Sequence, residues 1–144
     1  MLYRRIILSL LGLALLQGCV SISGGNSGQS YKLYPGPALP PAELAELDIT
    51  HLTVTVDGLR VDWLDYATVH LLSGKHSLRI DRCCGGVVLR AGMYGASQRS
   101  FNVDLEAGGS YKLIGHRKRG GASRYYFWVE DATTGAVIAG EEKP

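Results

Sequence analysis

The chain has 144 residues, with 15 lysines and arginines against 13 acids and a formal net charge of +2 at neutral pH. That is the length of one domain, and the near balance excludes the strongly basic footprint on which nucleic-acid binding leans. Three cysteines (Cys19, Cys83 and Cys84) and four histidines (His51, His70, His76 and His116) supply the thiol and imidazole chemistry.

Arg4 and Arg5 open the chain, and an apolar run over residues 6–16 follows, interrupted only by Ser9 and Gly12. Charge, a short apolar stretch and a small residue before a cut is the order of a secretory signal. The run holds 11 residues, and a membrane-spanning helix needs about 20. Cleavage before Cys19 leaves 126 of the 144 residues and removes two basic side chains and no acids, so the remaining charge balances at 13 against 13. A chain of that size buries roughly two-thirds of its unfolded surface, enough for a real core. Residues 20–30, VSISGGNSGQS, are glycine or serine at seven of 11 positions, the composition of a flexible tether.

Leu16-Gln17-Gly18-Cys19 resembles the bacterial lipobox. The resemblance implies a diacylglyceryl group on the sulfur of Cys19, cleavage that makes Cys19 the first residue, and acylation of its amine. One acyl chain holds a protein weakly to a membrane and several hold it firmly. Val20, where inner-membrane lipoproteins carry Asp, implies the outer membrane, with the domain on its periplasmic face. The division expected is therefore a signal peptide at 1–18, a lipidated cysteine and tether at 19–30, and one domain at 31–144.

Pro35-Gly36 suits a type II turn. Pro40-Pro41 then leads into AELAELD, where Glu43 and Glu46 suit a positive helix end and Leu44 and Leu47 lie three apart. This spacing predicts one or two helical turns at 41–47, a lid on the fold. From His51 the period changes to two. Leu52, Val54 and Val56 alternate with Thr53 and Thr55, and Asp57-Gly58 is a hairpin turn signal. Residues 59–61, 66–72, 76–82, 100–106, 111–117, 124–130 and 136–139 follow as strands, divided by glycine-rich turns. About seven short strands at this spacing predict an all-β fold, a single small β-sandwich. Burial of Val69, Leu71, Leu78 and Ile80 on one face of a 66–72/76–82 hairpin places His76 at the inner rim and His70 outside.

VTVDG at 54–58, followed by LLSGKHSLRI at 71–80, resembles the PEGA-type domain, a small β-sandwich common in bacterial surface and envelope proteins. YPGPALPPAEL, this hairpin and WVEDATTG together resemble small proteobacterial lipoproteins of unassigned function. Neither resemblance implies catalytic residues.

Three features bear on chemistry. Cys83-Cys84 are the two thiols left once Cys19 is lipidated, in an oxidising compartment. They are read as a loop clamp, a strained disulfide with a redox or metal-sensing role, or an intermolecular bridge. His116-Arg117-Lys118-Arg119, with Arg124, makes a basic hairpin tip suited to an anionic partner or to blunting an edge strand. Tyr125, Phe127 and Val129 alternate with Tyr126 and Trp128, which suits a central strand or a stacking face.

No nucleophile elbow, metalloprotease helix or P-loop pattern occurs. No pair of histidines has ligand spacing, so no metal, cofactor or catalytic residue is expected. The function read from the sequence is non-enzymatic: an outer-membrane lipoprotein, held to the membrane through Cys19, that binds or organises an envelope protein or glycan. The alternatives are a redox- or metal-responsive protein using Cys83-Cys84 and a periplasmic inhibitor of a cell-wall hydrolase.

Overall fold

A computed structural model describes residues 29–84, 87–89, 99–118, 124–141 and 143–144. The signal-like segment, Cys19, most of the Gly/Ser stretch and Arg119 lie outside the described residues. Eleven strands occur among the described residues, more than the seven expected. They are β1 (Ser30–Lys32), β2 (Leu44–Asp48), β3 (Thr53–Val56), β4 (Leu59–Asp62), β5 (Thr68–Leu72), β6 (Gly74–Cys83), β7 (Val87–Val88), β8 (Ser100–Leu105), β9 (Ser110–Lys118), β10 (Arg124–Asp131) and β11 (Val137–Gly140). One sheet has the order β1-β5-β2-β9-β10-β11; the other runs β4-β3-β6-β7, with β8 also pairing β6. The two pack as a sandwich, as the strand pattern predicts. Among the described residues no helix is long and apolar enough to cross a membrane.

The helix expected at 41–47 is not formed. A single 3-10 turn covers Pro41–Glu43, and Leu44–Asp48 is a strand between β5 and β9. Ala45, Leu47 and Ile49 are fully buried while Glu46 is exposed. Period two therefore decides, and central burial overrides the helix propensity of Ala, Glu and Leu.

A second correction concerns the expected 66–72/76–82 hairpin. Val69, Leu71, Leu78 and Ile80 are all buried, but β5 and β6 belong to opposite sheets. Only Ser73 separates them, and Gly74, at φ 127°, turns the chain from one sheet into the other. The four side chains meet across the sandwich instead of side by side. One continuous core results, with Leu47, Val69, Leu71 and Phe127 from the first sheet against Val54, Val56, Leu78 and Ile80 from the second.

Asp57-Gly58 makes the expected β3–β4 turn, with φ 47° and 82° and Val56 opposite Leu59, the type I′ pattern. Asp57 also ties this turn to β6. Its Oδ1 accepts the Ser77 amide at 2.8 Å, and its Oδ2 lies 2.6 Å from His76 Nδ1. His76 Nε2 lies 2.8 Å from the Leu72 carbonyl. Both neighbours are acceptors, and a ring with protons on both nitrogens donates to both. Burial works to raise the Asp57 carboxyl, but the His76 hydrogen bond, the Ser77 amide and the His76 charge outweigh it and hold the group below 3.8.

Two outcomes test this packing. Leu47→Ala is expected to lower unfolding stability by about 2–5 kcal/mol, because the site cannot collapse around the lost side chain; denaturant titration reads it. The Asp57 carboxyl, depressed on folding, contributes stability that is fully present above 3.8 and lost as pH falls through the lower folded value. Wild type and Asp57→Asn should therefore differ in stability above that value and converge in acid, and a pH-independent gap would contradict the clamp.

Candidate ligand-binding cleft

Period two holds along β6 only as far as Ile80. Val54 pairs Ile80 and Thr53 pairs Arg82, so Asp81 is an extra residue and two positions of β6 oppose one of β3. This is a β-bulge, a device that re-aims side chains. Strict alternation would bury Arg82 with Leu78 and Ile80 and expose Cys83. The bulge shifts the phase: Cys83 is fully buried and Arg82 only partly. Asp81 accepts from Thr55 Oγ1 at 2.6 Å and from Arg79 Nε at 2.9 Å. Its backbone carbonyl accepts the Leu89 amide at 2.9 Å, which docks the segment after β7 onto the bulge.

Arg82 lines two depressions. The larger, about 560 Å³, is walled by residues 50–52, 62–64 and 113–115 with Arg82 and Cys84. The smaller, about 330 Å³, is formed by Thr55, Gly58, Arg60, Arg79, Asp81, Arg82, Val88 and Leu89.

The walls of the larger cleft are set by capped turns. Asp48 Oδ1 accepts the Thr50 amide at 2.8 Å and the Thr50 hydroxyl at 2.6 Å. Asp62 Oδ1 accepts the Leu64 amide at 3.1 Å. These aspartates do what short polar side chains do in turns. His51 sits at φ 68°, a left-handed conformation that costs a non-glycine residue of order 1 kcal/mol. Its ring packs edge-on against Trp63, with centroids 4.9 Å apart. At the back, a Cβ on Gly115 would lie 3.0 Å from Leu52 Cδ2 and 3.2 Å from Phe127 Cε1. Glycine there lets β9 pass close over the core.

Arg82 is the unusual group. Its Nε is buried without a hydrogen-bond partner, and no ion pair among the described residues includes it. Its ladder neighbour Thr53 is fully buried, and the Thr53 hydroxyl is likewise unpaired. An unmet buried polar group costs about 1–3 kcal/mol, more when it is charged. An anion seated beside the guanidinium would supply the missing countercharge.

Cys83 and Cys84 are both free thiols. Cys84, at φ 53°, turns the chain so that its sulfur meets that of Cys83. The hydrogen bond from Cys83, together with burial, pushes the Cys83 thiol well up. The same bond, with the Arg117 charge and against burial, lowers Cys84. Cys84 is the half-buried partner on the cleft wall, so thiolate character falls on the accessible sulfur.

The basic tip is partly within view. Arg117 and Lys118 end β9, Arg124 begins β10, and Lys118 pairs Arg124. All three are exposed. Arg117 lies 5.8 Å from the Tyr125 ring centroid, and Arg124 lies 5.8 Å from that of Tyr126.

The fold thus brings Arg117 toward Cys84, two groups far apart in sequence. It does not gather the histidines: His70 faces Glu46 at 3.5 Å, His76 is in the turn clamp, His51 is in the cleft and His116 is exposed. Among the described residues no three His, Cys, Asp or Glu side chains group to hold a metal ion. Trp128 is buried, its Nε1 donating to Glu130 at 3.2 Å, so the aromatic on the cleft is Trp63.

The sequence does not single out Arg82 or Trp63; it offers His51 only as one of four histidines and Thr53 only as a strand position on the face away from Val54 and Val56. The one signal was the break in alternation at Ile80-Asp81-Arg82-Cys83. The chain matches no protein-family model, no curated protein and no solved structure.

The thiol asymmetry is directly measurable. Under non-denaturing conditions iodoacetamide should modify Cys84 well before Cys83, located by peptide mass. Cys84→Ser should leave a folded protein in which the remaining thiol of the pair, Cys83, reacts slowly. Equal labelling of both sulfurs would contradict the arrangement.

Proposed function

We propose that the chain is a non-enzymatic lipoprotein of the outer membrane, whose β-sandwich binds an anionic component of the cell envelope in the cleft beside Arg82. The buried Arg82 Nε, without a hydrogen-bond partner among the described residues, carries this reading. A half-buried arginine in no ion pair among the described residues leaves a site short of negative charge. The surroundings favour recognition over reaction. Trp63 and His51, packed edge to face, offer an aromatic wall, and the capped turns hold it in place. A ligand with a carboxylate or phosphate on a ring-bearing or peptide body suits those two features together. The lipobox-like LQGC and the Gly/Ser stretch support attachment through Cys19. VTVDG and GKH, whose Asp57 and His76 fasten a turn to a strand, support kinship in fold with PEGA-type envelope modules.

A second reading has its own observation. The lowered thiol of Cys84, hydrogen-bonded by Cys83, suits exchange with a disulfide of another protein. The Cys84 thiolate would attack that disulfide to give a mixed disulfide and one partner thiol. Cys83 would then attack the Cys84 sulfur, forming a Cys83–Cys84 disulfide and releasing the second partner thiol, so that two electrons and two protons pass to the partner. Titration that finds two unreactive sulfurs after mild reductant removes this reading.

The leading reading is tested in two parts. Cys19→Ala should give a folded protein that leaves the membrane fraction, and continued fractionation with membrane would end the anchor. Arg82→Gln, correctly localised and folded, should lose crosslinks to its envelope partner in intact cells, whereas an unchanged crosslinking pattern would remove the cleft from the function.

A further inference from the structure

The strand registers place two features at one end of the sandwich. Ser30, Thr68, Asp48 and Lys112 lie level across the first sheet. β1 is parallel to β5, β5 antiparallel to β2, and β2 parallel to β9. The chain therefore enters β1 from the same end toward which β9 leaves Lys112. β9 continues six residues further, to Lys118, which at strand rise carries it about 20 Å past that level. There it meets Arg124, and the exposed ends of the two strands bear Arg117, Lys118 and Arg124. At its other end β10 carries Glu130 and Asp131. The hairpin is thus basic toward the tip and mixed in charge at the base, where Lys112 and Lys143 stand beside Glu130.

We infer that the β9–β10 tip is a membrane-contacting surface that rests on anionic lipid headgroups and fixes the orientation of the domain. The inference builds on the lipoprotein reading and specifies which face that anchor turns to the bilayer. Ten residues, 20–29, separate Cys19 from β1, and a Gly/Ser-rich linker of that length has a reach on the order of 20 Å. That matches the reach of the hairpin, so tether and tip touch one surface without stretching the chain. Free in solution, three basic residues would bind such a surface weakly. A short tether holds them at an effective concentration in the millimolar range, where weak attraction suffices. Screening limits the effect to within about 8 Å of the surface at physiological salt, so only the tip can act. The opposite end of the hairpin carries mixed charge, so the excess of basic residues lies toward the tip.

The test uses the full lipidated chain in phospholipid vesicles, with a photo-crosslinking benzoylphenylalanine at His116 near the tip or at Thr133 in the turn at the opposite end. Acyl mass on the Cys19 peptide and flotation with vesicles report the anchor separately. With phosphatidylglycerol present, position 116 should give several-fold more lipid adducts than position 133. The excess should fall at high salt and in purely zwitterionic vesicles. In the variant Arg117→Gln/Lys118→Gln/Arg124→Gln the surface preference should fall by roughly fivefold per charge removed, while flotation is unchanged. Equal adducts from both positions, or an excess insensitive to salt and to the substitutions, overturn the inference while leaving the anchor intact. Adducts from position 116 to a protein or glycan in place of lipid in intact cells also overturn it. A missing acyl mass overturns the lipoprotein reading, and this inference with it.

Discussion

The extra residue in β6 is the constraint from which the cleft follows. β6 is the spine of the second sheet, pairing β3 on one side and β7 and β8 on the other. Its inward positions are Leu78, Ile80 and Cys83, a spacing of two and then three. Without the bulge, the next core-facing position after Ile80 would be Arg82, which would carry a guanidinium into a core of Val, Leu, Ile and Phe, where an unpaired charge costs several kcal/mol. With it, Arg82 reaches the rim, Cys83 fills the core beside Gly115, and Cys84 comes to the cleft wall. One insertion thus sets the positions of Arg82, Cys83 and Cys84.

The same end is held stiffly by interactions that leave Arg82 unserved. Asp48 and Asp62 are used by turn amides, and Asp81 by Thr55 and Arg79. Each of these carboxylates lies on an element next to the cleft, and none is bonded to Arg82. The contrast with the opposite end is instructive. There Asp57, His76 and the Leu72 carbonyl close on one another. Polar groups at that end satisfy each other and fasten strands together. At the cleft end the satisfied groups shape a wall, and the buried Arg82 Nε and Thr53 hydroxyl remain unmatched.

Legibility in the sequence followed the strength of the period. β3, β4, β5, β6, β8, β9, β10 and β11 were each readable as strands from alternation and turn residues. β1 and β7 are too short to show a period. β2 was misread because Leu44 and Leu47 fit a helical face as well as Ala45, Leu47 and Ile49 fit a strand, and the prolines before it favoured a helix start. The β5–β6 link was misread for a different reason: a tight turn joining two strands has the same composition whether it folds them side by side or sends them to opposite sheets. Ser73-Gly74 does the latter. Cys83-Cys84 stood out by composition, whereas Arg82 did not, since an arginine in HSLRIDR looks like any solvated strand residue. Its burial depends on where the phase slips, and that is a property of β3 pairing β6 across 26 or more residues.

Cleft and tip are structurally continuous. Residues 113–115 of β9 form one wall of the cleft, and the same strand runs on through His116 and Arg117 to the tip. Arg117 also lies close enough to Cys84 to lower its thiol. If the tip rests on lipid, the cleft sits within about one hairpin's length of the bilayer, roughly 20 Å by strand rise. On that orientation a ligand beside Arg82 would sit close to the membrane surface, against Trp63 and His51 on the cleft wall.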